Sequence, residues 1–299
     1  MKDQNQDNPL VSIMLMAYHR EHYLPALLDS FLTQTFKDFE LVVFDDGLSD
    51  ETRMITESYI KKDARLRYVR PEKNLNVPAS FKMALNLARG KYFMWVEDDN
   101  LYDKQFIEDC VNVYRSHPEF IVVFTGMVDI DKNGNVFQHP NPSGYIPIGA
   151  TAYQRLKRQI LNYFSDGKNQ LIFGLWKRET ILDNPLFGPN SKDDQPPYYW
   201  GFENYFVFRN LAKGPVGFVP ETLFFRRSRV PEEYRPPHAF LPRLTVTFYH
   251  RLEKIFRWPY FYYIMHRILK IKELSMLEKI KLLGWNFYVM KRLFLVRKI

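Results

Sequence analysis

Residues 10–47 read LVSIMLMAYHREHYLPALLDSFLTQTFKDFELVVFDDG, and their patterning decides the fold class. The run at 10–18 is apolar along nearly its whole strand length, without the polar alternation of a half-exposed strand, so it predicts a strand covered on both faces. In the segment that follows, Tyr23, Leu24, Leu27, Leu28, Phe31 and Leu32 recur at the three- and four-residue spacing of an amphipathic helix. FELVVFDDG then predicts a second buried strand, closed by two acids and a glycine turn.

The same alternation continues outward. ETRMITESYIKK predicts a helix, LRYVRPE a third short strand, ASFKMALNLARG a helix closed by Gly90, and KYFMWVEDD a fourth strand. Four strand–helix alternations at short spacing predict an α/β class fold, a parallel sheet with helices on both faces. Ligands of such sheets bind at the carboxyl ends of the strands, where Asp45 and Asp46, and then Glu97, Asp98 and Asp99, all fall. Neighbouring carboxylates resist joint desolvation. Acids converging on one crevice fit a divalent cation or the hydroxyls of a sugar, whereas a solvated turn accounts for Asp50 and Asp103.

Composition narrows the function classes. With 299 residues, 46% hydrophobic and 25% charged, the chain can bury a large core and lacks the signature of disorder. Its single cysteine, Cys110, excludes an internal disulfide and a cysteine-based zinc site, and suits a reducing compartment. The N-terminus has no apolar signal-peptide core, and no long uncharged apolar stretch appears, so a cytoplasmic location is expected. The net charge of +8 is unevenly placed: residues 240–299 hold 13 Lys and Arg against 3 Asp and Glu, and 13 of the 49 aromatic residues. Cations interleaved with Trp, Tyr and Phe suit a helix in an anionic lipid headgroup layer, and equally a helical bundle or an oligomer interface. No nucleic-acid-binding motif accompanies them.

VSIMLMAYHREHYLPALLDSFLTQTFKDFELVVFDDGLSDET and ARGKYFMWVEDDNLYDKQFIE resemble, in order and spacing, the opening motifs of the family 2 glycosyltransferases; the second is also similar to the form found in a bacterial spore-coat member. The resemblance covers residues 10 to 109 and thins beyond. It implies a GT-A-type fold, an inverting transfer from a nucleotide-diphosphate sugar such as a UDP-sugar, and Mn²⁺ or Mg²⁺ as cofactor. It also implies a nucleotide-sugar-binding half over 9–130, an acceptor-binding half over 131–238, and a basic aromatic helical extension over 239–299 outside the family pattern. By the same resemblance Asp46 would bond the nucleotide base and Tyr18 pack beside it. Asp98 would hold the ribose or the metal's shell, and Asp99 would ligate the metal. The chain departs from the pattern at Met16, at His19, and at SFK, where Phe81 replaces an arginine and Lys82 is the neighbouring cation.

An inverting transfer also needs a carboxylate base for the acceptor hydroxyl. YYWGFENYFVFRNLAKG is similar to the family's acid-before-helix motif and makes Glu203 the candidate, with Asp193 and Asp194 as alternatives in a polar loop; an acid at a helix N-terminus is otherwise a dipole residue. Trp176 in IFGLWKRE is a candidate for stacking on an acceptor sugar, the alternative being a core tryptophan. Arg226, Arg227 and Arg229 in LFFRRSRV stand where family members carry a diphosphate-contacting segment, the alternative being a solvated strand edge. A lipid-linked glycan is the expected acceptor if the extension meets a membrane. Two other classes share parts of this pattern: a sugar-phosphate nucleotidyltransferase, disfavoured because no glycine precedes Gly47, and a catalytically silent surface-binding relative, which would have no need of the acids that are present.

Overall fold

The computed structural model describes residues 8–75, 77–139, 149–162, 170–182, 202–228 and 264–295. Asp193, Asp194, Arg229 and residues 239–263 and 296–299 of the extension lie outside them. The chain runs β1 (Val11–Ala17), α1 (Leu24–Leu32), β2 (Phe39–Asp45), α2 (Asp50–Ile60), β3 (Leu66–Val69), α3 (Val77–Leu87) and β4 (Tyr92–Glu97). These are the four strands and three helices expected, in order. It continues through β5 (Leu101–Tyr102), α4 (Phe106–Ser116), β6 (Val122–Ile130), β7 (Val136–Gln138), α5 (Ala152–Leu161), β8 (Leu175–Lys177), α6 (Arg178–Leu182), α7 (Phe202–Leu211) and β9 (Val216–Arg227). Two further helices close the described chain, α8 (264–270) and α9 (Met276–Leu295).

Among the described residues, nine strands form one sheet in the order β3-β2-β1-β4-β8-β6-β9-β5, with β7 on β6. β1, β2, β3 and β4 are parallel. Beyond them the sheet is mixed, because β8 enters antiparallel between β4 and β6 and β5 pairs antiparallel with β9. The parallel sheet expected from the four alternations is thus β1 to β4, and the later strands extend it as a mixed one. Every residue of β2 is buried, as are nearly all of β1 and β4, which is why these strands read as continuous apolar runs.

Register places the crevice. Ala17 lies opposite Asp45 and Met16 opposite Glu97, so the residues after β1, β2 and β4 emerge along one edge. Strand order reverses between β1 and β4, the switch point at which open α/β sheets bind ligands. The opposite edge is tied by a polar network around Glu40, which accepts from Ser12 Oγ at 2.6 Å and from Arg67 Nη2 at 2.7 Å. Burial alone would raise the Glu40 pKa, but the bonds from Ser12 and Arg89 and the charge of Arg67 outweigh it and hold the carboxyl below its ordinary range. Gly90 closes that edge; a Cβ there would lie 2.7 Å from the Ser12 amide nitrogen, so the backbone passes where no side chain fits.

An aromatic wedge joins the two halves of the chain. The Phe206 ring of α7 stands edge-on to Trp95 of β4 and to Trp176 of β8, each at 5.1 Å between ring centres, an arrangement aromatic rings favour. All three side chains are buried. Glu203 lies three residues earlier, about one turn along the same helix.

The described part of the extension is helical, and one face of it is packed. Leu282, Val289 and Met290 of α9 are buried, α9 lies along α5, and Lys157 Nζ sits 4.5 Å from the centre of the Trp285 ring. Met276, Leu277, Ile280, Phe287 and Tyr288 remain exposed. Lys281 and Lys291 are exposed with them on the side away from the packed face.

Candidate active site

Tyr18 is the first residue after β1 and is 55% exposed. It opens a cavity of about 430 Å³ whose wall includes Asp46, Asn74, Leu75, Val77 and Phe81, mostly apolar with one buried acid. Asp46 is held from several sides: its Oδ1 accepts from the Leu75 amide at 2.8 Å, its Oδ2 from Ser80 Oγ at 2.6 Å, and its carbonyl from Asn74 Nδ2 at 2.7 Å. Each carboxylate oxygen keeps a further lone pair, so the group can accept from a bound ligand while fixed in place. Its neighbour Asp45 is a structural acid, fully buried and bonded to Tyr68 Oη at 2.6 Å.

The second acid group forms at the end of β4. Asp98 Oδ2 accepts from the Tyr18 amide at 2.7 Å, which couples the acid cluster to the cavity mouth. Asp98 Oδ1 lies 3.3 Å from Arg20 Nη1, and the same nitrogen is 2.6 Å from Asp99 Oδ2. Asp99 Oδ1 is buried with no hydrogen-bond partner. Burial, followed by the charge of Asp99, pushes Glu97 up to about 7. Burial lifts Asp98 to about 6 against the bond from the Tyr18 amide and the charge of Arg20, and raises Asp99 in the same direction. Glu203 also lifts Glu97 by like charge, which puts the α7 acid in electrostatic reach of the cluster. Glu203 itself is raised by burial.

Other residues expected at the site have different places. Trp176 is fully buried, its Nε1 donating to the Leu171 and Ile172 carbonyls at 3.2 and 3.1 Å. It is a core residue whose ring is covered by Phe206, which corrects the reading of it as an acceptor-stacking surface. Arg226 directs two donors at Asp129, Nε at 2.6 Å and Nη2 at 2.7 Å. That partly buried bidentate pair neutralises the charge and corrects its assignment to the donor. Arg227 braces the acid loop, donating from Nε to the Asp99 carbonyl at 2.8 Å and stacking on the Tyr23 ring. Lys82 is half-buried on α3 and stands outside the cavity wall. Arg20, Asn74 and Ser80 join the site without a sequence motif that marks them. Arg20 follows Tyr18 by two residues at a strand end, and that placement beside an acid-rich strand was the available signal.

Among the described residues no three Asp, Glu, His or Cys side chains converge as a complete metal cage. A nucleotide-bound Mg²⁺ or Mn²⁺ does not need one, since one or two carboxylates suffice when phosphates and water supply the remaining ligands. The unpartnered, buried Oδ1 of Asp99 is a hard oxygen donor of the required kind, so the residues fit such an ion.

A mixed sheet whose parallel part, β1 to β4, has a switch-point cavity beside a cluster of acids defines a GT-A-type α/β fold. The chain belongs to glycosyl transferase family 2, whose model matches residues 12–174. It is 31% identical over 141 residues to an uncharacterized glycosyltransferase of Methanocaldococcus jannaschii, covering 46% of this chain and 49% of that one. It is 30% identical over 131 residues to the chondroitin synthase of Escherichia coli, covering 44% and 19%. The match thus spans about half or less of these relatives. Among solved structures, S. aureus TarS residues 1–349 in complex with UDP superposes with a TM-score of 0.64 at 19% identity, covering 95% of this chain and 71% of that one. The mannosyltransferase PcManGT of Pyrobaculum calidifontis, in complex with GDP-Man and Mn²⁺, gives 0.53 at 14% identity, covering 97% and 74%. Among the described residues no helix is long and apolar enough to cross a membrane.

Proposed function

We propose that the chain transfers a sugar, with inversion, from a UDP-sugar to a hydroxyl of a glycan or lipid-linked acceptor. One observation carries this reading: the half-buried Glu203 stands on α7, the helix whose Phe206 packs edge-on against Trp95 of β4, and the end of that strand carries the acids beside a nucleotide-sized cavity. Tyr18 packs beside the base and Asp46 accepts from its N–H. Asp98 would hold the ribose or the shell of a bound cation, and Asp99 would ligate it. A bound Mn²⁺ or Mg²⁺ would neutralise the charge that grows on the departing diphosphate. Glu203 accepts the acceptor hydroxyl's proton as that oxygen forms its bond to the anomeric carbon. The bond from that carbon to the diphosphate oxygen breaks on the opposite face, its electron pair leaving with the nucleotide. The UDP bound to TarS supports a uridine donor. A panel of nucleotide sugars with Mn²⁺ tests the reading: release of UDP from at least one UDP-sugar is expected. Release of pyrophosphate from a nucleoside triphosphate and a sugar phosphate would point to nucleotidyl transfer instead.

We further propose that the acceptor is met at the cytoplasmic face of a membrane, a reading that α9 supports. Its packed face excludes it as a free tail, while its outer face presents apolar side chains with Lys281 and Lys291 among them. Each Lys or Arg near an anionic bilayer contributes about 1 kcal/mol, and inserted apolar side chains add to it. The full chain should co-sediment with vesicles containing anionic lipid, less at high salt, and the double variant Ile280→Glu, Phe287→Glu should lose binding while staying folded. Vesicle-independent self-association through the same face would make α9 an oligomer interface.

A further inference from the structure

Three acids stand at the end of β4, and among the described residues one guanidinium pairs with their side chains. Arg20 Nη1 reaches both Asp98 Oδ1 and Asp99 Oδ2, yet its own side chain is 47% exposed while theirs are 6% and 15%. The cation therefore approaches from solvent and can leave the way it came. Its backbone mount is unusual too. His19, between Tyr18 and Arg20, has φ of 56°, a left-handed conformation uncommon for a side-chain-bearing residue, and this tight turn brings the Tyr18 amide and the Arg20 side chain onto the same carboxylate. Arg227, the other nearby guanidinium, is tied by hydrogen bonds to the Asp99 and Asp131 carbonyls and stacks on the Tyr23 ring; its charge also favours ionised Asp99, but it forms no ion pair with the acid side chains among the described residues.

We propose that Arg20 is an exchangeable counter-cation: without donor it stands in the divalent ion's place against Asp98 and Asp99, and on arrival of metal and nucleotide together it releases the carboxylates and turns to the diphosphate. The inference rests on the transferase reading for the identity of that diphosphate. It has an energetic consequence. A divalent ion arriving alone finds Asp99 Oδ1 open, but to engage Asp98 Oδ1 and Asp99 Oδ2 as well it must evict a guanidinium that gains nothing in return, so it binds weakly. An ion arriving with a diphosphate gives Arg20 a new anionic partner, and a guanidinium fork matches phosphate oxygens. Metal and nucleotide should then raise each other's affinity, by the same factor in each direction. Arg20 is on this account a positioning and ordering residue, and Glu203 remains the base.

Titration of the full chain with Mn²⁺ alone, with UDP alone and with both, followed by Mn²⁺ electron paramagnetic resonance and calorimetry, tests this without turnover. In Arg20→Gln the affinity for Mn²⁺ alone should rise roughly tenfold, the factor corresponding to about one pK unit of charge interaction, and the mutual enhancement by UDP should shrink. Arg20→Lys, which keeps the charge, should stay near wild type in Mn²⁺ affinity and serves as the second variant if Arg20→Gln fails to fold. Unchanged Mn²⁺ affinity in Arg20→Gln, a Mn²⁺ affinity in Arg20→Lys as high as that expected of Arg20→Gln, or no Mn²⁺ binding by any form overturns the proposal. Tighter Mn²⁺ binding in Arg20→Gln with no UDP bound by any form keeps Arg20 as the counter-cation and removes the uridine-donor reading. Nucleotide binding with Mn²⁺ affinity indifferent to Arg20 does the reverse.

Discussion

Replacing Glu203 with glutamine should cut turnover by roughly 10²- to 10⁴-fold while leaving UDP affinity nearly unchanged. The carboxamide keeps the size of the side chain, so the first turn of α7 and the wedge formed by Phe206 stay in place; what it cannot do is take a proton from the acceptor. The pH profile follows with a definite sign. Burial raises the Glu203 pKa above its ordinary 4.5, and a base must be ionised to work. The acid limb of kcat/KM should therefore lie above the usual carboxylate range, with activity lost as pH falls through it. Steady-state kinetics on the wild type across pH, with UDP titration of the variant, provide the check. Near-normal turnover in Glu203→Gln would move the base to another carboxylate, with Asp193 and Asp194 next in line.

Removing the divalent ion should have an effect of similar size. EDTA should abolish transfer and added Mn²⁺ or Mg²⁺ restore it, and Asp99→Asn should lower turnover at least about 10²-fold. The substitution should not unfold the protein. A carboxyl whose pKa is raised on folding, as that of Asp99 is, costs stability once ionised, so at neutral pH a neutral amide removes a cost. Thermal melts beside activity separate the two effects; full activity after metal stripping, or in Asp99→Asn, would exclude this role for the ion.

The first half of the chain was legible because its physics is local. A strand buried on both faces in a parallel sheet must be apolar along its length, so β1, β2 and β4 stand out, and their ends announce Asp46, Asp98 and Asp99. The second half depends on partners far away in sequence. β8 has three residues, too few to show a period, and it takes its direction from β4 and β6. Whether Trp176 faces sugar or core depends on Phe206, thirty residues on. Arg226 meets Asp129 because β6 and β9 pair in a register that sets them opposite each other, and nothing near LFFRRSRV reveals it. Arg20 likewise meets acids 78 and 79 positions away only through the pairing of β1 with β4.

The Phe206 wedge has a consequence for how such a chain diversifies. The helix bearing Glu203 and the strand ending in Asp98 and Asp99 are clamped to one aromatic stack, so, if these residues take the roles proposed for them, the span between proton acceptor and leaving group is set inside the core. Surface loops can then be exchanged, lengthened or recoloured in charge to suit a new acceptor without retuning the reacting centre.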